Sequence, residues 1–406
     1  MAPLDRITVL DLTRVLSGPY CTMLLADMGA RVLKVEQPGT GDDTRAWGPP
    51  FLYPSAQSPR AGGPDANGES AYFLSINRNK ESVTLDFKQP GGRDVLERLI
   101  AKSDVLVENF RPGTLTKLGL DYQTLSARHP RLVYCSISGF GHSGPRWKEP
   151  GYDAIMQAEG GLMSITGAAD GPPYRLGVAI VDIVSGMFAA YGVAMALFAR
   201  ERTGRGQEVD LAMLDATVAL LTYQAGNYFA SGKVPERLGN RHPSIVPYET
   251  FAASDGEFVL AVGNDDQWRR FCATAALPED ARFATNRQRV TGYAELRPFV
   301  ADRLRAEPRQ YWIDRLTAAR VPCGSVRNFK ELFDDPQIAA REMITRVEHA
   351  TIGQLQALGV PVKLSDTPGS VRTPPPTLGQ HTAAVLEQDL GFSADAIAAL
   401  RRQQVI

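Results

Sequence analysis

Short apolar segments alternate with helix-like segments in the first part of the chain, and this alternation restricts the fold more than any other feature. Ile7 to Leu12 is predicted as a buried strand, Gly18 to Asp27 as a helix that begins near Pro19, and Ala30 to Glu36 as a second strand. A strand, a crossover helix and a second strand form a βαβ unit, whose two strands run parallel.

The alternation continues and predicts an α/β fold with a doubly wound parallel sheet. Further strands are predicted at Ser82 to Asp86, Val105 to Val107 and Leu132 to Ser138, and a helix at Gly91 to Ala101. Residues 49–69 are rich in proline and glycine and predict an exposed loop.

At 406 residues the chain is long enough for a large body and a smaller lobe. Hairpin-like patterning around Ser254 to Gly256 indicates that the smaller lobe is of α+β type. We therefore expect a large α/β domain over residues 1–225, a small α+β domain over 226–330, and a C-terminal return to the large domain over 331–406.

Composition limits the classes of partner. With 44 basic and 45 acidic residues the formal net charge is -1, so neither nucleic acid nor an anionic membrane is an expected partner. The four cysteines and five histidines are scattered and form no metal-ligand spacing, so we expect no metal. The segment MAPLDRITVLDL has the pattern of neither a secretory signal nor a transit peptide, and a reducing cytoplasm is the expected location.

Asp182 is the only charged residue in the 24-residue run LGVAIVDIVSGMFAAYGVAMALFA, from Leu176 to Ala199. A buried carboxylate is costly unless it is paired, its pKa tends to rise, and such groups cluster at active sites. Three structural alternatives are a membrane span, a helix N-cap formed with Ser185, and an ion pair. A charge near the middle of a span costs about 2.5 to 3.5 kcal/mol, which argues against the first. The other two remain open beside catalysis.

The first βαβ unit also suggests a dinucleotide site, because Glu36 closes the second strand. The turn DLTRVLSGP, from Asp11 to Pro19, has one glycine and no G-x-G-x-x-G pattern, and Pro19 lacks an amide proton that could face a phosphate. The sequence therefore argues against a nicotinamide, flavin or other nucleotide cofactor.

Several motifs in a fixed order resemble the class III CoA-transferases over nearly the whole chain. They are LDLTRVLSGPYCTMLLADMGARVLKVEQPGTGDDTR (10–45), NRNKESVTLDFK (77–88), DVLVENFRPGTLTKLGL (104–120), GYDAIMQAEGGLMSITG (151–167), TGRGQEVDLAML (203–214), GVPVKLS (359–365) and LGQHTAAVL (378–386). The resemblance implies the fold of that family, acyl-CoA and a small carboxylic acid as substrates, and an interlocked homodimer with the active site at the interface between the chains.

The resemblance also implies that Asp182, in GVAIVDIVSG, is the catalytic aspartate. In the family this residue attacks the acyl-CoA thioester to give a mixed anhydride, which the CoA thiolate converts to an aspartyl-CoA thioester. An acceptor carboxylate then reverses the sequence. Only the ionised carboxylate attacks, so we expect nearby groups to stabilise the anion. The amides of Gly160 and Gly161 are candidates for that role and for an oxyanion hole; the alternative is a plain helix-ending turn.

Contacts to CoA carry over by position, and the cations among them suit phosphate groups. The chain departs from the family pattern at two places: Gln37 replaces a common arginine, and Pro150 replaces a lysine for which Lys148 is the nearby candidate. The residues implied are Val15, Leu16, Leu85, Asp86, Phe87, Lys88, Asn109, Phe110, Arg111 and Lys117.

The related 2-methylacyl-CoA racemases use a histidine in the segment corresponding to GYDAIM, where this chain has Tyr152 and Asp153. Tyrosine is a poor base for this proton abstraction, and His142 lies in a turn, so a transferase is favoured over a racemase. A non-catalytic CoA-binding homologue is a third hypothesis, which the presence of Asp182 argues against.

Two segments indicate the acceptor acid. RHPSIVPYETF (241–251) stands where formyl-CoA transferases carry a tetraglycine loop, and with GDDTRAWGPPF (41–51) it resembles the succinyl-CoA:glutarate members of the family. The far carboxylate of a dicarboxylic acid needs a cationic or hydrogen-bonding anchor, which Arg45, Arg241 or His242 would supply. Structural ion pairs are the alternative role of the two arginines.

Overall fold

The fold is taken from a computed structural model, which describes residues 1–53 and 68–406. The strands in this part of the chain are β1 (Thr8–Asp11), β2 (Arg31–Glu36), β3 (Phe51–Leu52), β4 (Glu69–Ser70), β5 (Lys80–Thr84), β6 (Val105–Glu108), β7 (Val133–Ser138), β8 (Glu208–Ala212), β9 (Tyr248–Ala253), β10 (Gly256–Ala261), β11 (Cys323–Ser325), β12 (Ile344–His349) and β13 (Gly353–Leu358). The helices are α1 (Ser17–Asp27), α2 (Ala71–Ile76), α3 (Pro90–Ala101), α4 (Tyr122–Arg128), α5 (Asp153–Glu159), α6 (Leu162–Ile165), α7 (Ile180–Thr203), α8 (Met213–Leu220), α9 (Thr222–Ser231), α10 (Asp265–Ala275), α11 (Asn286–Thr291), α12 (Tyr293–Leu304), α13 (Arg309–Ala318), α14 (Phe329–Phe333), α15 (Pro336–Ala340), α16 (Thr382–Ala384) and α17 (Ala394–Arg402).

Six parallel strands form the central sheet in the order β5-β2-β1-β6-β7-β8, so the predicted α/β class is confirmed. Side chains alternate between its two faces. Leu10, Leu33 and Leu106 pack in one cluster with side chains of α3, α4 and α17. Val9 and Val32 are equally buried and lie on the opposite face, where α1 and α7 contact the sheet. Helices thus cover both faces, as the continuous apolar runs of the strands require.

The strand order reverses between β1 and β6, since the chain proceeds from β1 toward β5 on one side and from β6 toward β8 on the other. Ligands of open parallel sheets bind beside the carboxyl ends of the strands at such a reversal. The loops after β1 and β6 are therefore the first place to search for a site.

Strand β5 begins at Lys80, two residues before the predicted start. The Lys80 ammonium at the start of this strand is fully buried. It donates to the Asp11 carboxylate at 3.1 Å and to the Asn77 side chain and the Pro19 carbonyl at 2.9 Å each. Asp11 offsets part of the desolvation, and burial still lowers the pKa of Lys80 to about 8.

Helix α7 contains the long apolar run and ends at Gly204, which has a left-handed backbone with φ 70°. By length and composition it is the one helix of the described residues that qualifies as a candidate membrane span. It packs against α1, α8 and strand β8. Gly186 allows the closest approach to α1, because a Cβ atom there would lie 2.6 Å from the Ser17 carbonyl oxygen.

The chain divides into two compact units. The first contains the parallel sheet and consists of Met1–Gly161, Leu176–Thr222 and Pro336–Ile406. The second consists of Leu162–Arg175 and Tyr223–Asp335, and within it β11, β10 and β9 form an antiparallel sheet packed on a core that includes Phe258, Phe271 and Trp312. Residues 162–175 belong to this second unit, whereas the sequence predicts them in the large domain over residues 1–225.

The predicted loop over residues 49–69 contains β3 and the first residue of β4, which pair antiparallel through Phe51 opposite Ser70 and Leu52 opposite Glu69. Residues 54–67 of that prediction lie outside the described residues.

Candidate active site

The turn between β1 and α1 is held in an unusual conformation at the point where the strand order reverses. Val15 has φ 69°, a left-handed conformation that is strained for a β-branched residue. Its amide donates to Asp42 Oδ1 at 3.3 Å. The Asn109 side chain fixes the preceding residue from both sides, because its oxygen accepts from the Arg14 amide at 2.9 Å and its nitrogen donates to the Arg14 carbonyl at 2.8 Å.

Buried charges lie beneath this turn. Lys34 donates to the Asp42 carboxylate at 2.8 Å, and both side chains are excluded from solvent. Asp11 accepts hydrogen bonds from Thr13 and Thr22 and pairs with Lys80. Burial alone would raise the pKa of Asp11, but Lys80 and Lys34 outweigh it and lower that pKa to about 2. The turn therefore rests on an ionised network that fixes its geometry.

Asp182 lies in the first turn of α7, which begins at Ile180. Burial raises its pKa to about 7; the neighbouring Asp153 carboxylate adds to the rise, and a hydrogen bond from the Ser17 hydroxyl opposes it. At neutral pH a substantial fraction of Asp182 is therefore ionised while it remains poorly solvated. A carboxylate in this state is a better nucleophile than one that is fully hydrated.

The N-cap role considered for Asp182 belongs to another residue. Asp153 Oδ1 accepts from the amides of Val181 at 2.9 Å and Asp182 at 3.4 Å, and Gln157 holds the other Asp153 oxygen at 2.7 Å. A carboxylate at a helix N-terminus satisfies free amides and interacts favourably with the helix dipole. The Asp182 side chain is thus left for the pocket, so the N-cap alternative is wrong.

A pocket of about 310 Å³ opens beside these elements in the first unit. Of the residues predicted to contact CoA or substrate, it contains Val15, Asn109, Phe110, Arg111, Tyr152 and Asp182. The remaining wall comes from Arg14, Ser17, Asp43, Pro112, Ile137, Ser138, Gly139, Glu149, Pro150, Gly151 and Met213. The structure therefore brings the predicted nucleophile and the turns after β1 and β6 to one cavity at the strand-order reversal.

The other predicted CoA contacts lie outside the pocket wall. Leu16 and Leu85 are buried. Phe87 packs edge-on against Phe110 with ring centroids 6.2 Å apart, which places the TLDFK turn next to the pocket. The Asp86 carboxylate accepts from the Lys88 amide and the Gln89 side chain. The side chains of Lys88 and Lys117 are exposed.

Gly160 and Gly161 end helix α5. Their amides donate back to the carbonyls of Met156 at 2.8 Å and Ala158 at 3.3 Å. Because these amide protons are already used by the helix, they are poorly suited to an oxyanion hole. The structure favours the alternative interpretation, a helix-ending turn, with Gly161 at φ 87°.

The predicted anchors for a far carboxylate have other partners. Arg45 binds both oxygens of Glu36, at 2.7 and 2.8 Å, and its guanidinium lies 3.6 Å from the centre of the Phe73 ring. This is the structural ion pair that the sequence left open for Arg45. In the second unit, Arg241 covers the Tyr293 ring at 4.1 Å, and His242 stacks against Tyr223 and Tyr248.

Three residues with a place in the site were missed by sequence reasoning: Arg14, Ser17 and Asp153. A signal existed for Arg14 and Ser17, since both stand in the turn that was tested for a dinucleotide pattern. The sequence gives no signal for the capping role of Asp153, because that role depends on a contact between helices that are distant in sequence.

No histidine belongs to the pocket wall that the described residues form. His142, considered above, has its Nε2 atom 2.7 Å from the Ser136 hydroxyl and borders a different cavity with Glu108 and Glu208. Over residues 1–53 and 68–406, no cluster of three or more His, Cys, Asp or Glu side chains is arranged as a metal site.

Comparison with known proteins agrees with this architecture. The sequence model of "CoA-transferase family III" matches residues 4–382. A succinyl-CoA:glutarate CoA-transferase of Mus musculus is 42% identical over 410 residues, which cover 100% of this chain and 91% of that protein. A succinate--glutarate CoA-transferase of Agrobacterium fabrum is 43% identical, with 95% of each chain covered. The crystal structure of a CAIB/BAIF family protein from Brucella suis has a TM-score of 0.82 at 40% identity and covers 95% of this chain and 99% of its own.

Proposed function

The chain belongs to CoA-transferase family III, and from this membership we propose that it moves CoA from succinyl-CoA to glutarate with Asp182 as the nucleophile. The observation that carries the proposal is the Asp182 carboxylate, with its pKa raised to about 7, in the wall of the pocket at the strand-order reversal. The two relatives named for succinate and glutarate support this choice of acids.

The first half-reaction transfers CoA to the protein. An ionised oxygen of Asp182 attacks the thioester carbonyl of succinyl-CoA, the new C–O bond forms, and the C–S bond breaks to release CoA thiolate. The thiolate then attacks the Asp182 carbonyl of the resulting anhydride. This step forms an aspartyl-CoA thioester and releases succinate.

The second half-reaction runs the same chemistry with glutarate. Its carboxylate attacks the aspartyl thioester and expels CoA thiolate, which then attacks the glutaryl carbonyl of the new anhydride. Glutaryl-CoA leaves and the Asp182 carboxylate is restored. One thioester is exchanged for another of similar energy, so the reaction needs neither ATP nor a metal.

The predicted CoA contacts remain part of the proposal. Arg111, Lys88 and Lys117 are exposed, and none of the three forms an ion pair with a described carboxylate. Cations without a protein counter-ion suit the diphosphate and ribose phosphate of CoA. The pantetheine arm would then pass Val15 and Asn109 on its way to Asp182.

A homodimer is also proposed. One face of α7 exposes large apolar side chains, including Phe188, Tyr191, Met195 and Phe198, at 39%, 64%, 45% and 56% of their full accessibility. An exposed apolar stripe of this kind commonly marks an interface. A second copy of the chain covering this face supports the interlocked dimer that the resemblance implies. The reducing cytoplasm remains the proposed location.

The decisive assay is the conversion itself. Purified protein incubated with succinyl-CoA and glutarate is expected to form glutaryl-CoA, detected by liquid chromatography and mass spectrometry. Monocarboxylic acids and oxalate serve as competing acceptors. Formation of no acyl-CoA product from any dicarboxylic acid, together with exchange of solvent deuterium into the 2-position of a 2-methylacyl-CoA, would contradict the proposal and favour a racemase.

Loss of the Ser17 hydroxyl is expected to move the pH profile of transfer. In the wild-type protein kcat/KM should rise with pH through a midpoint near 7 as Asp182 ionises. Ser17→Ala removes a hydrogen bond that favours the anion, so the midpoint should move upward by about one pH unit. Activity would fall several-fold at pH 7 and recover above pH 8.

The matched control is Ser185→Ala. Ser185 lies on helix α7 with Asp182, and its hydroxyl is buried without a hydrogen-bond partner among the described residues. Its loss should leave the midpoint unchanged. Equal midpoints for the wild-type protein and Ser17→Ala would show that Ser17 does not stabilise the Asp182 anion.

A further inference from the structure

Arg14 is a cation of the pocket wall that the sequence did not single out. Its guanidinium lies 5.7 Å from the centre of the Phe110 ring, and both residues border the cavity that contains Asp182. Among the ion pairs of the described residues, none includes Arg14. A half-buried guanidinium with an aromatic surface beneath it and no carboxylate partner is prepared to bind an anion.

The backbone of Arg14 is fixed before any ligand arrives. The Asn109 side chain binds its amide and its carbonyl at 2.9 and 2.8 Å, and the following residue, Val15, is tied to Asp42. Strained backbone that is held this firmly is typical of functional sites. Preorganisation of this kind lowers the entropic cost of binding.

Arg14 is not placed to act on the nucleophile. The groups that set the pKa of Asp182 beyond burial are Asp153 and Ser17, and Arg14 is not among them. The guanidinium and the nucleophile therefore border one cavity without forming a close pair. A substrate with a carboxyl group at each end can therefore place one end at Arg14 and the other at Asp182.

We propose that Arg14 binds the far carboxylate of the dicarboxylic acid and of its acyl-CoA while the near carboxyl or thioester group reacts at Asp182. This inference rests on the proposed function. Arg14 takes the anchoring role that the sequence suggested for Arg45, since the Arg45 guanidinium is already bound to both oxygens of Glu36.

The phosphates of CoA are the other anions that Arg14 could meet, and its burial argues against them. Arg14 is half-buried, whereas Arg111, Lys88 and Lys117 are exposed; Arg14 and Arg111 both border the cavity of about 310 Å³ that contains the nucleophile. A half-buried cation suits a carboxylate on a short acyl chain, and exposed cations suit phosphates that remain partly hydrated.

The test compares two acceptors that differ only in the far carboxylate. With succinyl-CoA as donor, kcat/KM is measured for glutarate and for pentanoate as acceptors; where pentanoate is not turned over, its Ki as a competitive inhibitor against glutarate is measured instead. In a ping-pong reaction kcat/KM for the acceptor reports only the acceptor half-reaction. Arg14→Met should lower the value for glutarate by about 100-fold, because a charge-assisted bond is lost, and change that for pentanoate by less than about threefold.

Arg14→Lys should restore part of the glutarate activity, and Arg111→Met serves as the matched control that weakens both acceptors and CoA binding alike. Equal losses for glutarate and pentanoate in Arg14→Met, or a weaker affinity for free CoA, would overturn the inference and assign Arg14 to the phosphates. An unchanged preference for glutarate would also overturn it. A wild-type protein that transfers CoA to no dicarboxylic acid would instead refute the proposed function.

Discussion

Asp182→Asn is expected to lower the rate of CoA transfer by about four orders of magnitude or more, as removal of a covalent nucleophile does in other enzymes. The amide keeps the shape of the side chain but cannot attack a thioester, so affinity for CoA should change little. Steady-state transfer and CoA titration measure the two effects separately. Asp215→Asn changes an exposed carboxylate in the first turn of α8 and is the matched control, with activity near that of the wild-type protein.

The same substitution should stabilise the folded protein at high pH. The pKa of Asp182 is about 7 in the folded chain and 3.8 as its ordinary value, so the folded state binds the proton more tightly. Its contribution to the free energy of unfolding therefore falls as pH rises from about 4 to 7 and stays low above that. Asp182→Asn avoids this loss, so its free energy of unfolding should exceed that of the wild-type protein by on the order of 2 kcal/mol at pH 8, but by little at pH 4. Equal gains at both pH values in urea titrations would contradict the burial of this charge.

Lys34→Met should lower the free energy of unfolding by about 3 to 5 kcal/mol, because it leaves buried carboxylates without their cation. Lys34 is excluded from solvent and binds Asp42 at 2.8 Å and the Thr13 carbonyl at 3.0 Å. Burial lowers its pKa, but Asp42 and Asp11 outweigh burial and raise it above the ordinary value, so the lysine is charged at pH 7. Urea unfolding at pH 7 measures the loss.

Lys88→Met removes an exposed lysine and is the control for that measurement, with an expected change below about 0.5 kcal/mol. The double substitution Lys34→Met with Asp42→Asn should recover part of the stability, because it also removes one of the buried carboxylates that has lost its cation. A loss of less than about 1 kcal/mol for Lys34→Met would mean that water solvates Asp42 in the folded chain.

The parallel sheet could be predicted because its strands are short apolar runs separated by helical periodicity. The burial of Lys80 in β5 depends on tertiary structure, because Asp11, which is 69 residues away in sequence, lies beside it. Propensity and periodicity describe neighbours along the chain, so they do not show which distant partner neutralises a buried charge.

The same limit applies to the site. Asp182 was predictable because a single charge inside a long apolar run contradicts its surroundings. Arg45 looked like a ligand-binding cation because Glu36 reaches it only through tertiary contact. The amides of Gly160 and Gly161 looked available, but whether an amide is already used by a helix end depends on backbone geometry. Arg14 is the opposite case, an unremarkable residue until the fold leaves it without a counter-ion.

Intact-protein mass spectrometry after brief incubation with succinyl-CoA tests the role of Asp182 most directly. The predicted result is a mass increase of one CoA group that maps to the peptide containing Asp182, is removed by hydroxylamine, and is absent in Asp182→Asn. A wild-type protein that forms no adduct with several acyl-CoAs, yet exchanges deuterium into the 2-position of a 2-methylacyl-CoA, would contradict the assignment of Asp182 as the nucleophile.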